Sequence, residues 1–490
     1  MRTAYSVQTV RAAERELMAR LPEGALMQRA AAGLAVACGQ LLGRVSGSRV
    51  VLLVGSGDNG GDALYAGARL ARRGAGVVAV LLSPERAHEG GLAALRRAGG
   101  RVSDDPTRDV AWADLVVDGI VGIGGRGGLR PEAARLARAA RESALVVAVD
   151  LPSGVDADSG EVAGDAVWAD ATVTFGAYKP GLLIDPARER AGALRLVDIG
   201  LTLPDGAAEA EALQHAEVAE LLPRPSAESD KYRRGVVGVV AGSARYPGAA
   251  VLAVAGALRG GAGAVRYVGP AADAVLARFP ETLVHAGPPH RAGRVQAWVV
   301  GPGLGDESDA LGDVLASEVP VLVDADGLRF LTPERVRART AETLLTPHAG
   351  EAAALLGCGR DEVEAARLTS VRKLAARYGA TVLLKGSTTL VAGEHGPVRV
   401  NPTGTSWLAT AGSGDVLSGL TGSLLAAGLG ARDAGSVGAY LHGLAGRRAA
   451  GLPVGVPVVA SEIADHLDVA WMDVMDAVGV TEGATEAATG

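Results

Sequence analysis

Oxygen-bearing side chains follow three predicted β-strands in the first half of the chain. They are Asn59 after strand 49–54, Asp118 at the end of strand 115–118, and Asp150 and Ser153 at and after the end of strand 145–150. Because ligands of open α/β sheets bind outside the carboxyl ends of the strands, these side chains can converge on one crevice. Carbonyl, carboxylate and hydroxyl oxygens without His or Cys favour a hard cation over a transition metal. The alternative is that each of them caps a turn or a helix.

The turn after strand 49–54 also carries the glycine spacing G-x-G-x-x-G, at Gly55, Gly57 and Gly60. Backbone amides in such a turn, between a strand and a helix, can face a phosphate group. A nicotinamide-binding Rossmann domain would place an acidic residue at the end of the next strand, where this chain has Leu82-Ser83-Pro84. The spacing alone therefore favours a tight turn over a dehydrogenase fingerprint.

A second set of candidate residues lies late in the chain. Lys385-Gly386-Ser387-Thr388-Thr389 follows a predicted strand, and Gly412-Ser413-Gly414-Asp415 leads into a predicted helix. Amides at a helix start can stabilise a transferring phosphoryl group, and an aspartate there can accept a hydroxyl proton. The sequence contains no GxxxxGK[ST], HRD or DFG motif, which excludes the P-loop and protein-kinase arrangements. A glycine-rich helix start is also typical of simple capping.

The order of the predicted strands and helices that must position these residues indicates an α/β protein with two three-layer α/β domains. Short β-branched runs alternate with Ala-, Arg- and Leu-rich helical stretches over 49–200, after two amphipathic helices over 7–43, and the alternation restarts at Gly235. A Pro-containing stretch around 203–229 marks the boundary. We predict domains over 1–205 and 228–477, a linker over 206–227 and a flexible tail over 478–490.

Composition narrows the range of partners. The chain has 490 residues, 48% of them hydrophobic, and a formal net charge of −7, so it can fill real cores and is a poor nucleic-acid binder. Charged residues interrupt the first twenty positions, and polar residues break the apolar stretch 416–431, so we expect neither a secretory signal nor a membrane span. Cys38 and Cys358 suggest no disulfide framework and no zinc site. We expect a cytoplasmic homo-oligomer.

Four motifs in the first half, taken together, resemble the NAD(P)H-hydrate epimerase family across residues 5–205. In chain order they are GSGDNGGDA, VVDGIVGIGGRGGLRP, AVDLPSGVDADSGE and TVTFGAYKPGL. The resemblance implies a Rossmann-like domain that holds a potassium ion through Asn59, Asp118 and Ser153. It also implies substrate contacts at Asp58, Asn59, Gly60, Gly61, Asp62, Gly122, Ile123, Gly124, Gly125, Arg126, Gly127, Gly128 and Asp150. This sequence departs from the family pattern at Asp58 and Ala63, where Asn and Gly are more usual.

The second half resembles the ribokinase-like ADP/ATP-dependent NAD(P)H-hydrate dehydratases over residues 228 to about 470. The motifs are KYRRGVVGVVAGS followed by Tyr246-Pro247-Gly248-Ala249, then GPGLG, VDADGL, TPHAGE, LLKGSTT, NPTGT and AGSGD. The resemblance implies hydrate contacts at Ala249, Gly303, His348 and Asp415. It implies nucleotide contacts at Lys385, Gly386, Ser387, Thr388, Thr389 and Gly414, with Mg²⁺ on the phosphates of ADP or ATP. Outside its motif, a lone His348 would more often be a structural histidine.

Both halves together resemble a bifunctional NAD(P)H-hydrate repair enzyme acting on NADHX and NADPHX. In these hydrates C6 carries a hydroxyl and is bonded to ring nitrogen N1, so the stereocentre can invert by reversible bond cleavage. We predict Asp150 as general base and acid for that step, and Asp415 as the base that deprotonates the C6 hydroxyl during phosphoryl transfer. Lys179 either faces the substrate phosphates or is a partly buried structural residue.

Two other classes of function stay open from the sequence. One is a ribokinase-like small-molecule kinase, such as a vitamin-precursor kinase, whose first half is a regulatory nucleotide-binding domain. The other makes the first half a binding module without catalysis. A kinase would release a stable phosphorylated alcohol, whereas a dehydratase would regenerate the reduced nicotinamide and release phosphate.

Overall fold

The computed structural model describes residues 1–306 and 309–477, so the predicted tail over 478–490 lies outside the described residues. The chain divides into two compact units: Thr3–Ala210, and the residues from Glu211 onward together with Met1–Arg2. Each unit is built on a mainly parallel sheet with helices, which confirms the α/β fold class. The domain boundaries at 205 and 228 stay a prediction.

The N-terminal unit is a doubly wound parallel sheet. Its strands are β2 (Arg49–Val54), β3 (Gly76–Leu81), β4 (Arg101–Val102), β5 (Leu115–Gly119), β6 (Leu145–Val149), β7 (Ala171–Phe175) and β8 (Ala193–Val197), after a short β1 (Arg2–Ala4). Its helices are α1 (Val7–Met18), α2 (Ala25–Leu42), α3 (Asp58–Arg72), α4 (Glu89–Arg97), α5 (Pro106–Ala111), α6 (Pro131–Ser143) and α7 (Arg188–Ala191). The 7-stranded sheet has the order β4-β3-β2-β5-β6-β7-β8, and its neighbouring strands are parallel.

Alternating side chains of β2 bury themselves on opposite faces of this sheet. Leu52 packs with α2 and α3 in one core, whereas Val51 and Leu53 pack with α6 in another. Such burial on both faces explains why the strand is the continuous apolar run RVVLLV. The winding direction switches between β2 and β5, so a crevice opens at their carboxyl ends. The two-residue strand β4 was not predicted, because a run that short carries no periodic signal.

Within residues 1–306 and 309–477, one helix, α2, is long and apolar enough to cross a membrane by length and composition. A core helix of a globular domain passes the same test. Ala31, Leu34 and Cys38 of α2 are buried in the core that also contains Leu52 and Leu64. Its apolar face is therefore used in packing against this unit.

The C-terminal unit contains the second predicted layer domain. Its strands are β9 (Ala210–Ala212), β10 (Val236–Val240), β11 (Ala264–Val268), β12 (Leu283–His285), β13 (Ala297–Val300), β14 (Val321–Val323), β15 (Thr343–Leu345), β16 (Thr381–Leu384), β17 (Thr389–Ala392) and β18 (Val398–Asn401). Its helices are α8 (His215–Leu221), α9 (Pro247–Arg259), α10 (Ala272–Arg278), α11 (Asp309–Leu315), α12 (Pro333–Arg337), α13 (Ala349–Leu356), α14 (Arg360–Ala365), α15 (Arg367–Tyr378), α16 (Ser413–Ala426), α17 (Ala431–Ala449) and α18 (Ala460–Asp465).

From β9 the sheet order is β9-β18-β17-β16-β15-β14-β13-β10-β11-β12. The strands from β10 to β16 pair in parallel, whereas β17 pairs antiparallel with both β16 and β18. The strands β9, β12, β17 and β18 were not among those predicted. They are short, and β17 begins inside the motif LLKGSTT, which resembled a loop.

The segment 206–227 is more ordered than the predicted linker. It contains β9 and α8, and Val218 and Leu222 are buried in the large core of the C-terminal unit. Gln214 and Glu217 form a capping box at the start of α8. The Pro and Gly residues that suggested a linker lie around these elements, so they mark turns rather than an independent connection.

Helices α9 and α16 pack with almost no space between their backbones. A Cβ atom on Gly419 would lie 1.9 Å from the carbonyl oxygen of Ala253, and one on Gly256 would lie 2.1 Å from that of Val416. Close approach of α9 therefore fixes the position of α16, whose first turn carries Asp415.

We expect Gly419→Ala to lower the stability of the C-terminal unit by about 1–3 kcal/mol, because the methyl group must push two helices apart. The measurement is the urea midpoint of the C-terminal unit. Gly393→Ala is the matched control, since its Cβ would meet nothing nearer than the His395 oxygen at 3.6 Å. Equal midpoints for the two variants would contradict the expectation.

Two candidate active sites

A buried carboxylate lies at the carboxyl end of β5. Asp118 is 0% exposed, and its Oδ1 accepts hydrogen bonds from Ser153 Oγ at 2.6 Å and from the Ile120 amide at 3.2 Å. Its Oδ2 accepts the Ser153 amide at 2.8 Å. Burial raises the pKa of Asp118 to about 6, and the bonds from Ser153 oppose that rise. All of these donors are neutral, so they leave the charge of the carboxylate uncompensated.

The structure brings Asn59 to the same place. The Asn59 side-chain amide donates to the carbonyl oxygen of Val149 at the end of β6. A Cβ atom on Gly122 would lie 2.4 Å from Asn59 Oδ1, so the carbonyl side of this amide faces the loop after β5. Ser153 Oγ also lies 2.9 Å from the Val121 amide. Asn59, Asp118 and Ser153 therefore meet at the crevice between β2, β5 and β6.

These donors fit a monovalent cation by their chemistry. Within the described ranges, no three His, Cys, Asp or Glu side chains group as a metal site, so a transition-metal centre is not indicated. Amide, hydroxyl and carboxylate oxygens around one buried negative charge suit a hard cation of low charge. The potassium assignment itself stays a prediction.

Asp150 lies in a strained backbone position directly after β6. Its φ of 66° is in the left-handed region that non-glycine residues rarely adopt. Its Oδ1 accepts hydrogen bonds from Lys179 Nζ, from Thr174 Oγ1 at 2.9 Å and from the Phe175 amide at 3.2 Å. The side chain is thus fixed from the ends of β6 and β7, and its second oxygen is the atom that can serve a substrate.

Lys179 does not have the role considered for it in phosphate binding. Its side chain is 1% exposed, and its ammonium group donates to Asp150, to Thr174 Oγ1 at 3.0 Å and to the Phe175 carbonyl at 3.3 Å. Those three bonds use all three ammonium protons. Lys179 therefore pairs with Asp150 inside the N-terminal unit. It is fully buried, whereas the structural alternative was a partly buried residue.

Three more carboxyl groups surround Asp150. Asp58 and Asp62 lie in the first turns of α3, and Glu14 comes from α1. Burial raises the pKa of Asp62 well above its usual value, and the charges of Asp150, Asp58 and Glu14 add to the rise. Burial also raises the pKa of Glu14, although Lys179 opposes it. Glu14 lies far from the quoted motifs, so no sequence pattern indicated it.

The glycines of the predicted substrate loops permit close approach of their neighbours. A Cβ atom on Gly60 would lie 2.5 Å from the Gly55 carbonyl oxygen, and one on Gly124 would lie 2.6 Å from Arg11 Nη2. Gly61 lies next to Met27 and His88, whereas Arg126 and Gly127 lie at the exposed tip of the loop. Ile123 packs on the small core around Leu151, and Gly125 lies beside Val121. The structure thus places Gly122 and Gly124 against Asn59 and Arg11.

The second candidate site lies at the start of α16. Gly412 caps this helix with a φ of 85°, and Asp415 is in its first turn. A Cβ on Gly414 would lie 3.4 Å from Lys385 Nζ, so the helix start faces this ammonium. Lys385 Nζ donates to Asp324 Oδ1 at 2.7 Å and lies 3.8 Å from Glu351 Oε2. A lysine and a helix start therefore face the same space.

Burial and neighbouring charges change the pKa values of both Asp415 and Lys385. Burial raises the pKa of Asp415 to about 7; Asp324 adds to the rise and Lys385 opposes it. Burial lowers the pKa of Lys385, but Asp324 and Glu351 outweigh it and leave that pKa raised. At neutral pH, Lys385 is therefore charged while Asp415 is poised to gain or lose a proton.

The loop Lys385–Thr389 is held from behind by an arginine that the sequence did not single out. Arg367 Nη2 donates to the carbonyl oxygens of Leu384, Lys385 and Thr388 at 3.3, 3.1 and 3.1 Å. Gly386 lies against this guanidinium, and a Cβ on Gly404 would lie 2.4 Å from the Ser387 oxygen. The motifs LLKGSTT and NPTGT therefore form one wall of the site.

The predicted hydrate contacts occupy two places. Gly303, with a φ of 63°, lies so close to Ala249 that a Cβ atom on it would be 2.7 Å from the Ala249 Cβ. His348 caps α13 by accepting the amides of Gly350 and Glu351 at 3.0 and 3.1 Å. Glu351 in turn accepts the His348 amide, which links this cap to Lys385. The cap is the structural role considered for His348, and its hydrate contact stays a prediction.

Sequence reasoning assigned no role to Asp324, Ser418 or His442. Asp324 is 1% exposed and accepts both Lys385 Nζ and Ser418 Oγ, the latter at 2.7 Å. Burial lowers the pKa of His442 to about 4, and its Nε2 lies 3.0 Å from the Ser413 carbonyl oxygen. Only Asp324 had a usable signal, because it directly follows β14 within the quoted motif VDADGL.

Comparisons with known proteins agree with this division into two halves. A family model described as YjeF-related protein N-terminus matches residues 23–181, and one described as NAD(P)H-hydrate dehydratase matches residues 237–467. A bifunctional NAD(P)H-hydrate repair enzyme from Mycobacterium leprae is 50% identical over 481 residues, covering 95% of this chain and 98% of the relative. One from Mycobacterium tuberculosis is 52% identical over 442 residues, covering 88% and 90%.

Among solved structures, the ADP/ATP-dependent NAD(P)H-hydrate dehydratase from Bacillus subtilis, co-crystallized with ATP/Mg²⁺, matches with a TM-score of 0.50. It is 29% identical, and the match covers 53% of this chain and 97% of that chain. Because half of all aligned positions are identical to a curated relative along nearly the whole length, this chain belongs to the family of bifunctional NAD(P)H-hydrate repair enzymes.

Proposed function

We propose that this chain repairs hydrated nicotinamide cofactors in two steps. The N-terminal unit interconverts the R and S epimers of NADHX and NADPHX. The C-terminal unit then dehydrates the S epimer to the reduced cofactor, using ADP or ATP. The observation that carries the proposal is the half-buried carboxyl of Asp415 at a helix start beside Lys385, in a chain of the repair family.

The dehydration step follows from the chemistry of these groups. Hydroxide is a poor leaving group, whereas phosphate leaves readily. Asp415 takes the C6 hydroxyl proton as the terminal phosphoryl group of the nucleotide arrives, and the amides at the start of α16 and Lys385 stabilise its charge. The N1 lone pair then expels phosphate and forms an N1=C6 double bond, and loss of a proton from C5 to solvent converts this to the C5=C6 double bond of the reduced cofactor, with the lone pair returned to N1.

Magnesium would be held mainly by the phosphates of the nucleotide, whose charge it neutralises. Asp324 uses one oxygen for Lys385 and the other for Ser418, so it is not the obvious ligand. Asp326, which accepts the Gly305 amide at 2.9 Å, and Glu351 are the carboxylates beside the site that could contribute oxygens. The dehydratase from Bacillus subtilis that was crystallized with ATP/Mg²⁺ supports this choice of metal.

In the N-terminal unit, Asp150 is positioned to exchange a proton with the C6 hydroxyl. Its Oδ1 is fixed by Lys179 and Thr174, which leaves Oδ2 for the substrate. A potassium ion held by Asn59, Asp118 and Ser153 would offset charge that develops on the substrate oxygen. The charge of Asp118, buried among neutral donors, is the feature that favours a cation there.

The proposed function is tested by incubating the purified protein with a mixture of NADHX epimers, with and without ADP or ATP. We expect epimer interconversion without nucleotide, and NADH plus inorganic phosphate when nucleotide is present. Chromatography resolves both epimers and NADH. A stable phosphorylated product without NADH would instead identify a small-molecule kinase.

Removal of potassium should lower the rate of epimerisation and leave the rate of dehydration unchanged. Exchange of K⁺ for tetramethylammonium, which is too large for a cluster of buried oxygens, is expected to lower the rate of epimer interconversion. The same exchange should leave dehydration of the pure S epimer unchanged. The measurement is the initial rate of each reaction at constant ionic strength. An epimerase rate indifferent to the exchange would contradict the cation assignment.

Two further predictions from the sequence remain proposals. One is self-association of the chain, and the other is a cytoplasmic location without nucleic-acid or membrane partners. The net charge of −7 and the absence of a positive excess in the sequence support the lack of a nucleic-acid partner.

A further inference from the structure

Two buried carboxyl groups of the N-terminal unit differ in what surrounds them. Asp150 is 6% exposed and forms a buried ion pair with Lys179. Asp62 is also 6% exposed, but its Oδ1 is a buried oxygen without a hydrogen-bond partner in the described chain. One carboxyl is therefore paired with an ammonium group, whereas the other has neither a cation nor a full set of donors.

The groups around Asp62 act against its ionisation. Glu14 from α1, Asp58 from its own helix and Asp150 from the end of β6 all contribute negative charge. Burial and these charges raise the pKa of Asp62 well above its usual value. The charge of Asp150 acts on Asp62, so the two carboxyl groups are near enough to interact.

The other charged and titratable groups on neighbouring elements do not lower the pKa of Asp62 back to its usual value. Arg11 and Lys179 lower the pKa of Glu14, and Lys179 spends its three protons on Asp150, Thr174 and Phe175. His88, at the start of α4, lies against Gly61, and its Nδ1 accepts the Gly91 amide at 3.0 Å.

We propose that epimerisation uses Asp62 as general acid and Asp150 as general base, and that Lys179 is the positioning residue that assigns these roles. The proposal rests on the epimerase function proposed above and names the groups that perform it. Two carboxyl groups with opposite environments are the usual arrangement by which one site supplies both a proton donor and a proton acceptor.

The step balances in atoms and electrons. Asp62 gives its proton to the C6 hydroxyl, the C6–O bond breaks with its electron pair on oxygen, and water leaves while the N1 lone pair forms an N1=C6 double bond. Water then adds to the opposite face: its oxygen forms the new C6–O bond, the double-bond pair returns to N1, and Asp150 takes the proton. Proton exchange with solvent restores Asp62 and Asp150, and only the configuration at C6 has changed.

The test compares the pH dependence of epimerisation in wild type and Asp62→Asn. Wild type should give a bell-shaped profile, because activity needs one carboxyl protonated and the other ionised. Asp62→Asn is close in shape, so we expect kcat to fall by ~10²–10⁴ and the loss of activity at high pH to disappear. A raised KM with unchanged kcat and an unchanged profile would make Asp62 a binding residue and overturn the proposal.

Two further readouts separate a chemical role from a structural one. Lys179→Met should lower the kcat of epimerisation and leave KM nearly unchanged, because Asp150 then loses the ammonium group that fixes its Oδ1. In water enriched in oxygen-18, each wild-type epimerisation should introduce one solvent oxygen at C6, and Asp62→Asn should slow both events equally. Epimerisation without oxygen exchange would overturn the water-loss step.

The controls distinguish a failure of the roles assigned to Asp62 and Asp150 from a failure of the proposed epimerase function. Glu142→Gln, an exposed carboxyl at the end of α6, should leave rate and profile unchanged. Dehydration of the S epimer by each variant reports that the C-terminal unit is folded, and a urea midpoint for the N-terminal unit reports that the unit carrying the substitution is folded. Absence of epimerisation in wild type would refute the proposed function, whereas a fully active Asp62→Asn enzyme beside an active wild type refutes only the roles assigned here.

Discussion

Asp415→Asn is expected to lower the kcat of dehydration by ~10²–10⁴ while the rate of epimer interconversion stays at the wild-type value. Asparagine keeps the shape of the side chain and its place in the first turn of α16, but it cannot accept the C6 hydroxyl proton. The measurement is NADH formation from the pure S epimer with saturating ADP or ATP. Unchanged dehydration would remove Asp415 from the mechanism.

The same residue predicts the pH dependence of wild-type dehydration. Burial raises the pKa of Asp415 to about 7, so the carboxyl is ionised above that pH and protonated below it. A base must be ionised to act, and kcat/KM should therefore decline as the pH falls through about 7. Asp415→Asn should lose that decline together with most of its rate.

Asp273→Asn is the matched control for this substitution. Asp273 also lies in the first turn of a helix, α10, but it is exposed. It should retain dehydration and its pH dependence. Loss of activity in both variants would indicate a general effect of removing helix-start charge rather than loss of the base.

The sequence was sufficient for those parts of the site that are local in the chain. The run RVVLLV predicts β2, the glycines after it predict a turn, and Asp118 and Asp150 follow buried strands whose carboxyl ends must meet. Their convergence with Asn59 and Ser153 needed only the rule that parallel strands share one open edge. Asp415 was found in the same way, from a glycine-rich helix start.

Side-chain partners from distant segments could not be predicted. Nothing in the sequence pairs Asp324 with Lys385, which is 61 positions away, or Arg367 with the carbonyl oxygens of Lys385 and Thr388. Such pairs depend on how helices and strands pack in three dimensions, and a single sequence carries no record of that. The pairing of Lys179 with Asp150 belongs to the same class, and its omission left a role in phosphate binding open.

Short strands were missed for a different reason. The strands β12, β17 and β18 have three or four residues, fewer than a periodic pattern needs to be recognised. β17 pairs antiparallel to β16 in a hairpin, so the turn between them carries the predicted nucleotide loop. That pairing explains why Thr388 and Thr389 are buried although the motif resembled an exposed loop.

The second large effect is expected from Asp150→Asn, which should reduce epimerisation to nearly the uncatalysed rate. The amide keeps the size of the side chain but can neither accept nor return a proton, so each direction of the reaction loses one of its two proton-transfer groups. With a mixture of NADHX epimers and ATP, wild type should convert all of the substrate to NADH. The variant should convert the S epimer at the wild-type rate and then stall, which chromatography of the remaining epimer measures.

The buried ion pair complicates this variant, because Lys179 loses the carboxylate that it pairs with, and breaking such a pair costs about 3–5 kcal/mol. The double variant Asp150→Asn/Lys179→Met removes both charges and restores a neutral interior, so its N-terminal unit should resist urea better than that of the single variant. We expect the double variant to be as inactive in epimerisation as Asp150→Asn while its dehydratase works normally. If it converted the whole mixture at the wild-type rate, Asp150 could not be the base of epimerisation.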